Sequence, residues 1–153
     1  MSNPPTFDVA AAHKYFAADC YNQTWKFIDN PNRTLEEDLS MLQTAMASLW
    51  HWSQREDVTS QNFAIGYWQV SRVFALMGQP ENARRYGEMS LKSAQGGEIV
   101  FVGFAYESLA RAEMVAGNKA KMNEYLTQAW SFAEKVEDEE DKKLLVKDLE
   151  TIH

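Results

Sequence analysis

A self-similarity at a fixed offset constrains this chain more than any other feature. Tyr67, Arg72, Gly78 and Tyr86 recur as Tyr106, Arg111, Gly117 and Tyr125, each 39 positions later. Val70 and Leu109 match in type, and Ser71 and Ala110 are both small. Each copy reads as a helix, a glycine turn and a second helix. A period of this size marks helical hairpins that stack because one hairpin cannot bury its apolar face alone.

Chain breakers are sparse and regularly placed: Pro4-Pro5, Asn30-Pro31-Asn32, Gly78-Gln79-Pro80, Gly96-Gly97 and Gly117-Asn118. The intervening stretches are rich in Ala, Leu, Met, Gln, Glu and Lys, which favours helix, and none shows sustained strand alternation. The pattern predicts an all-α chain with about seven helices at 8–29, 34–55, 60–77, 80–94, 98–116, 118–136 and 138–152. Thr34 with Glu37 is a capping-box pair, Pro80 suits a first helical turn, and Gly78 and Gly117 suit left-handed stops. Asp138–Lys142 and Glu139–Lys143 are favourable i,i+4 pairs, so the acidic run 138–141 reads as a solvated helix start.

Composition excludes several classes. With 153 residues and 19 aromatics (8 Phe, 6 Tyr, 5 Trp), one domain with a real core is expected. The single cysteine, Cys20, excludes an intrachain disulfide and fits a reducing, cytoplasmic setting. No basic start followed by a long apolar stretch opens the chain, and the longest apolar run, near Ile99–Tyr106, is far short of the ~20 residues of a membrane span. Residues 1–60 carry 4 bases and 8 acids, and residues 134–153 again 4 and 8, against 7 and 6 in 61–133. Nucleic acid and anionic membranes are therefore poor partners.

The repeat resembles the tetratricopeptide repeat (TPR) family over roughly residues 64–136. Tyr67, Val70, Ser71, Phe74, Gly78, Ala83 and Ser90 fill the family's positions in one copy, and Tyr106, Leu109, Ala110, Gly117 and Ala129 in the next. The period is 39 rather than about 34. Glu113 and Met122 stand where the family prefers an aromatic and an alanine, and no proline closes either copy. The chain also resembles a set of bacterial TPR-like proteins that share a pattern like Thr24-Trp25…Asn30-Pro31-Asn32-Arg33-Thr34…Glu36-Glu37-Asp38 and a later His51-Trp52; no activity comes with that likeness. The resemblance implies a right-handed superhelix of stacked antiparallel hairpins in one domain over 1–153: a degenerate first hairpin at 8–57, repeat hairpins at 60–94 and 98–136, and a capping helix at 138–152.

On helix 3, Phe63, Tyr67, Val70, Phe74 and Met77 share one face, the expected core. The opposite face carries Ile65, Trp68, Gln69, Arg72 and Leu76. In TPR proteins the corresponding positions line a concave groove. The equivalent residues of the next copy are Phe104, Glu107, Ser108, Arg111 and Val115. Ile65, Trp68, Gln69, Arg72, Glu107, Ser108 and Arg111 are thus the expected binding residues, with two guanidiniums suited to an anionic group on a peptide. The bland reading is that Glu107 and Arg111, an i,i+4 pair, satisfy each other. The family's clamp for a C-terminal carboxylate needs Lys and Asn where this chain has Trp68 and Arg72.

No nucleophile elbow, phosphate loop, paired-histidine zinc motif or C-x-x-C is present, so no catalytic residue, cofactor or metal is expected. His13 falls on the apolar side of helix 1 and reads as a hydrogen-bonded core histidine. Cys20, seven positions on, is too far along the axis to pair with it and reads as a small buried residue. On helix 2, Leu35, Leu39, Leu42, Met46 and Leu49 form the expected core stripe, Trp50 and Trp52 flank it, and His51 points away with Ser40, Thr44 and Ala47. The expected function is a non-catalytic protein- or peptide-binding module. A self-associating homodimer is the first alternative, and a small-molecule binder or enzyme using His13 and His51 the second.

Overall fold

A computed structural model describes residues 2–153. The described residues form seven α-helices and no strand: α1 (Val9–Ile28), α2 (Leu35–Ser53), α3 (Ser60–Leu76), α4 (Pro80–Ala94), α5 (Ile99–Ala116), α6 (Lys119–Lys135) and α7 (Glu139–Leu149). The described residues divide into two compact units, one ending at Thr59 and one running from Ser60 to His153.

The first unit is the α1/α2 hairpin. The Asp8 side chain caps α1 by accepting from the Ala11 amide at 3.0 Å. Thr34 and Glu37 form the reciprocal capping box, at 3.2 Å and 2.8 Å. Arg33 ties the connection together, donating to the Phe27 and Asn30 carbonyls at 3.2 Å and 2.7 Å and pairing with Asp38 at 2.7 Å. The helices meet through Ala17, Thr24, Met41, Ala45 and Ser48. The Ser48 hydroxyl donates to the Ala17 carbonyl at 2.7 Å, and the Thr24 and Thr44 hydroxyls meet at 2.9 Å.

This corrects the expected orientation of α2. Leu35, Leu39 and Met46 are exposed rather than core. The face bearing Thr44 and Ser48, and with it His51, is the one turned to α1. The reason is steric: small hydroxyl and alanine side chains allow two helices to approach closely, and the hydroxyls find acceptors across the contact.

The second unit joins the hairpins α3/α4 and α5/α6, with α5 also packed on α3 and α4, and α7 laid against α5 and α6. The repeat is visible in its bonds. Gly78 and Gly117 take φ of 70° and 74°, where a side chain would be strained. The amides of the next residues, Gln79 and Asn118, reach back to the Phe74 and Glu113 carbonyls, both at 2.9 Å, which is the same Schellman-type closure 39 residues apart. Tyr67 meets Tyr86 at 6.2 Å between ring centres, and the equivalent Tyr106 meets Tyr125 at 6.3 Å.

Two departures from the family pattern have structural accounts. Glu113 is buried and takes both its partners from Arg84, at 2.7 Å and 3.2 Å. Met122 fills space against Ala110 and Ile152. The stack ends on α7, whose Leu145 and Leu149 bury against Val100, Ala129, Ala133 and Val136. Burial of each leucine contributes about 1.5–3 kcal/mol. Gly103 makes room for this helix, because a Cβ there would lie 2.5 Å from Leu145 Cδ2.

Candidate functional site

The equivalent positions of the two repeats converge on one carboxylate. Glu107, on α5, is fully buried. Its Oε2 accepts from Trp68 Nε1 at 2.7 Å, and its Oε1 accepts from Arg72 at 3.0 Å and from Arg111 Nε at 2.7 Å. Trp68 and Arg72 lie on α3, so α3 and α5 are joined across this carboxylate.

The end of α7 completes the cluster. Arg72 pairs with the Asp148 carboxylate at 3.0 Å. Arg111 donates to the Asp148 carbonyl at 3.0 Å and to the Thr151 hydroxyl at 2.7 Å. That hydroxyl in turn donates to the Asp148 carbonyl at 2.6 Å. Two guanidiniums therefore face two carboxylates, and the charges balance. Balance is required, since an uncompensated buried charge costs several kcal/mol.

The two carboxylates respond differently. Burial pushes Glu107 up, but Arg72 and Arg111 outweigh it and hold the group below the usual carboxylate range. Burial also raises Asp148, and the nearby Glu107 charge adds to the rise, so that Arg72 and Arg111 do not restore it. Arg72 is lowered by burial but raised more by Glu107 and Asp148 and stays charged. Glu107 is thus the fixed centre of the cluster and Asp148 the weakly held member.

The seven expected binding residues are therefore not open side chains around an empty groove. Trp68, Gln69, Arg72, Glu107, Ser108 and Arg111 are buried, and Ile65 is half-buried. Trp68, Arg72, Glu107 and Arg111 come together. Ser108 turns back to its own helix, its hydroxyl donating to the Ala105 carbonyl at 2.7 Å. The Glu107–Arg111 pairing read from the i,i+4 spacing is present. Sequence reasoning missed Asp148 and Thr151, which lie 37 and 40 residues from Arg111 and share no local pattern with it.

In the first unit His13 and His51 meet Nδ1 to Nδ1 at 2.8 Å. Trp50 stands edge-on to His13 with ring centres 5.2 Å apart, and Phe16 lies 5.5 Å from His51. Burial and the neighbouring His13 lower the His51 pKa. The Cys20 thiol is pushed up by burial and by Asp19, which lowers its reactivity. Along α2, Leu35, Leu39, Met46 and Trp50 are 80%, 56%, 39% and 55% exposed on one stripe. Single exposed apolar residues are ordinary, but a stripe of four is not. Among the described residues no three His, Cys, Asp or Glu side chains are placed to hold a metal, and no helix is long and apolar enough to cross a membrane.

Comparison of the chain with protein families, with curated proteins and with solved structures finds no match.

Proposed function

We propose that the chain is a non-catalytic, TPR-like module that binds protein or peptide through the inner face of α3 and α5. One observation carries this reading: the arginines of that face hold the end of a helix. Arg111 takes a backbone carbonyl and a threonine hydroxyl, and Arg72 takes an aspartate carboxylate, all from the last turn of α7 and the residues just after it. Guanidinium forks suit carbonyl and carboxylate recognition of this kind. The α7 end then serves as the occupant in cis, and a partner segment of the same chemistry, an acidic helix end, takes its place.

A labelled peptide of residues 137–153 added to the full chain tests the proposal. A cis occupant lowers apparent affinity by the fraction of time it is docked. An Asp148→Ala/Thr151→Ala variant with unchanged circular dichroism is expected to bind the peptide about tenfold more tightly than the wild type, since each tenfold needs only ~1.4 kcal/mol of weakened docking. Equal affinity, or no binding by either protein, overturns it.

The exposed stripe on α2 favours a second reading, self-association, in which two copies cover Leu35, Leu39, Met46 and Trp50. It predicts a mass that rises with concentration, and a constant monomeric mass contradicts it.

A further inference from the structure

We propose that His13 and His51 form a proton-operated clasp that closes the free end of the α1/α2 hairpin and releases it on acidification. His13 lies near the start of α1 and His51 near the end of α2, so the pair sits opposite the connection that Arg33 and the capping box secure. The inner ties, Ser48 to Ala17 and Thr24 to Thr44, involve groups that do not titrate between pH 4 and 8.

A nitrogen–nitrogen separation of 2.8 Å is a hydrogen-bond distance, which the pair meets when one Nδ1 carries a proton and the other does not. In the neutral pair one ring donates Nδ1–H and the other accepts with its Nδ1 lone pair. A first added proton goes to the outer Nε2 of the donor ring and strengthens the bond, because the donor becomes an imidazolium. A second proton must occupy the accepting Nδ1. Two N–H groups then face each other, and two positive rings stand 5.0 Å apart between ring centres. The contact cannot survive that state, so the clasp opens on the second proton rather than the first.

The surroundings do not cancel this effect. The charged side chains nearby in sequence are Asp8, Lys14 and Asp19 on or before α1, and Arg55, Glu56 and Asp57 after α2. Arg55 and Asp57 pair with each other at 2.7 Å, and Lys14 acts on Asp57. The charge that acts on His51 is that of His13. Phe16 and Trp50 flank the rings and keep them partly from water. Opening the clasp frees Trp50, which ends the exposed stripe of α2.

The sign follows. The His51 pKa is lower in the folded hairpin than in the unfolded chain, so its contribution is fully present above about 6.5 and is lost as pH falls through the lowered value.

The test is an NMR titration of both imidazoles in the full chain from pH 8 to 4.5, with amide exchange of α1 and α2 followed alongside. His51 is expected to titrate below the ordinary histidine range, and His13→Ala should return it toward ordinary titration. Across the His51 titration, amide protection in α1 and α2 should fall about tenfold per unit of displacement. His51→Asn, whose amide occupies the Nδ1 position but takes no proton, should keep its protection over the same range. Independent titration of both rings near 6.5, unchanged by His13→Ala, overturns the clasp. Coupled titration with constant protection also overturns it, since the pair would then hold nothing.

Discussion

The two units of this chain both bury alanines and serines but differ in what they bury beside them. In the α1/α2 hairpin the helices touch through alanines, threonines, a serine and one bulky side chain, Met41, while Leu35, Leu39, Phe16 and Trp50 stay outside. In the second unit the interior holds Val70, Val73, Leu109 and Leu145 and also Arg72, Glu107, Arg111 and Glu113. Polarity alone therefore does not decide which helix face turns inward. Close approach selects small side chains, and a charged face can be buried when each carboxylate meets its guanidinium.

The largest expected effect lies in the charged interior. Glu107→Ala leaves Arg72, Arg111 and the Trp68 indole without their shared acceptor, and should cost the second unit about 3–5 kcal/mol in denaturant unfolding. Thr24→Ala, which removes a neutral buried hydroxyl in the first unit, should cost only about 1 kcal/mol. Equal losses would erase the contrast between the units. Glu107 also sets a pH dependence. Its stabilisation is complete above the usual carboxylate range and disappears as pH falls through its depressed value. Asp148 runs the other way, its contribution being complete below the usual range and lost as pH rises through its raised value.

A middle-sized effect is expected at Gly103→Ala. The new Cβ meets the buried Leu145 Cδ2, so the Leu145 side chain or α7 must shift, at a cost of about 1–3 kcal/mol read by thermal unfolding. The smallest is Leu39→Lys on the exposed stripe, which should change stability by no more than ~0.5 kcal/mol. A larger loss there would mean that the stripe is packed, and would remove the contrast from the other side.

Helix limits were legible in the sequence to within a few residues, because several boundaries carry their own chemistry: the Thr34–Glu37 box, Pro80, and the glycines at 78 and 117. The repeat was legible for the same reason, since its turn glycines and tyrosines act locally. Facing was not. The leucine stripe of α2 follows helical period as well as any core, and only the register of the hairpin shows that Thr44, Ser48 and His51 turn to α1. The equivalence of Arg72 and Arg111 was readable, but Asp148 and Thr151 lie at and just beyond the end of a helix whose sequence says only that it is amphipathic.

The central claim is that the α3/α5 face holds the end of α7 as a releasable occupant. Amide exchange of the full chain, read residue by residue, tests it most directly. Local opening has a free energy of its own wherever a segment can leave without the rest. The account predicts that amides across Glu139–Leu149 exchange at least about tenfold faster than those around Leu109 in α5, and that Asp148→Ala/Thr151→Ala widens the gap. If α7 exchanges only together with α5, in both proteins, then α7 is an inseparable part of the core and the binding-face account is wrong.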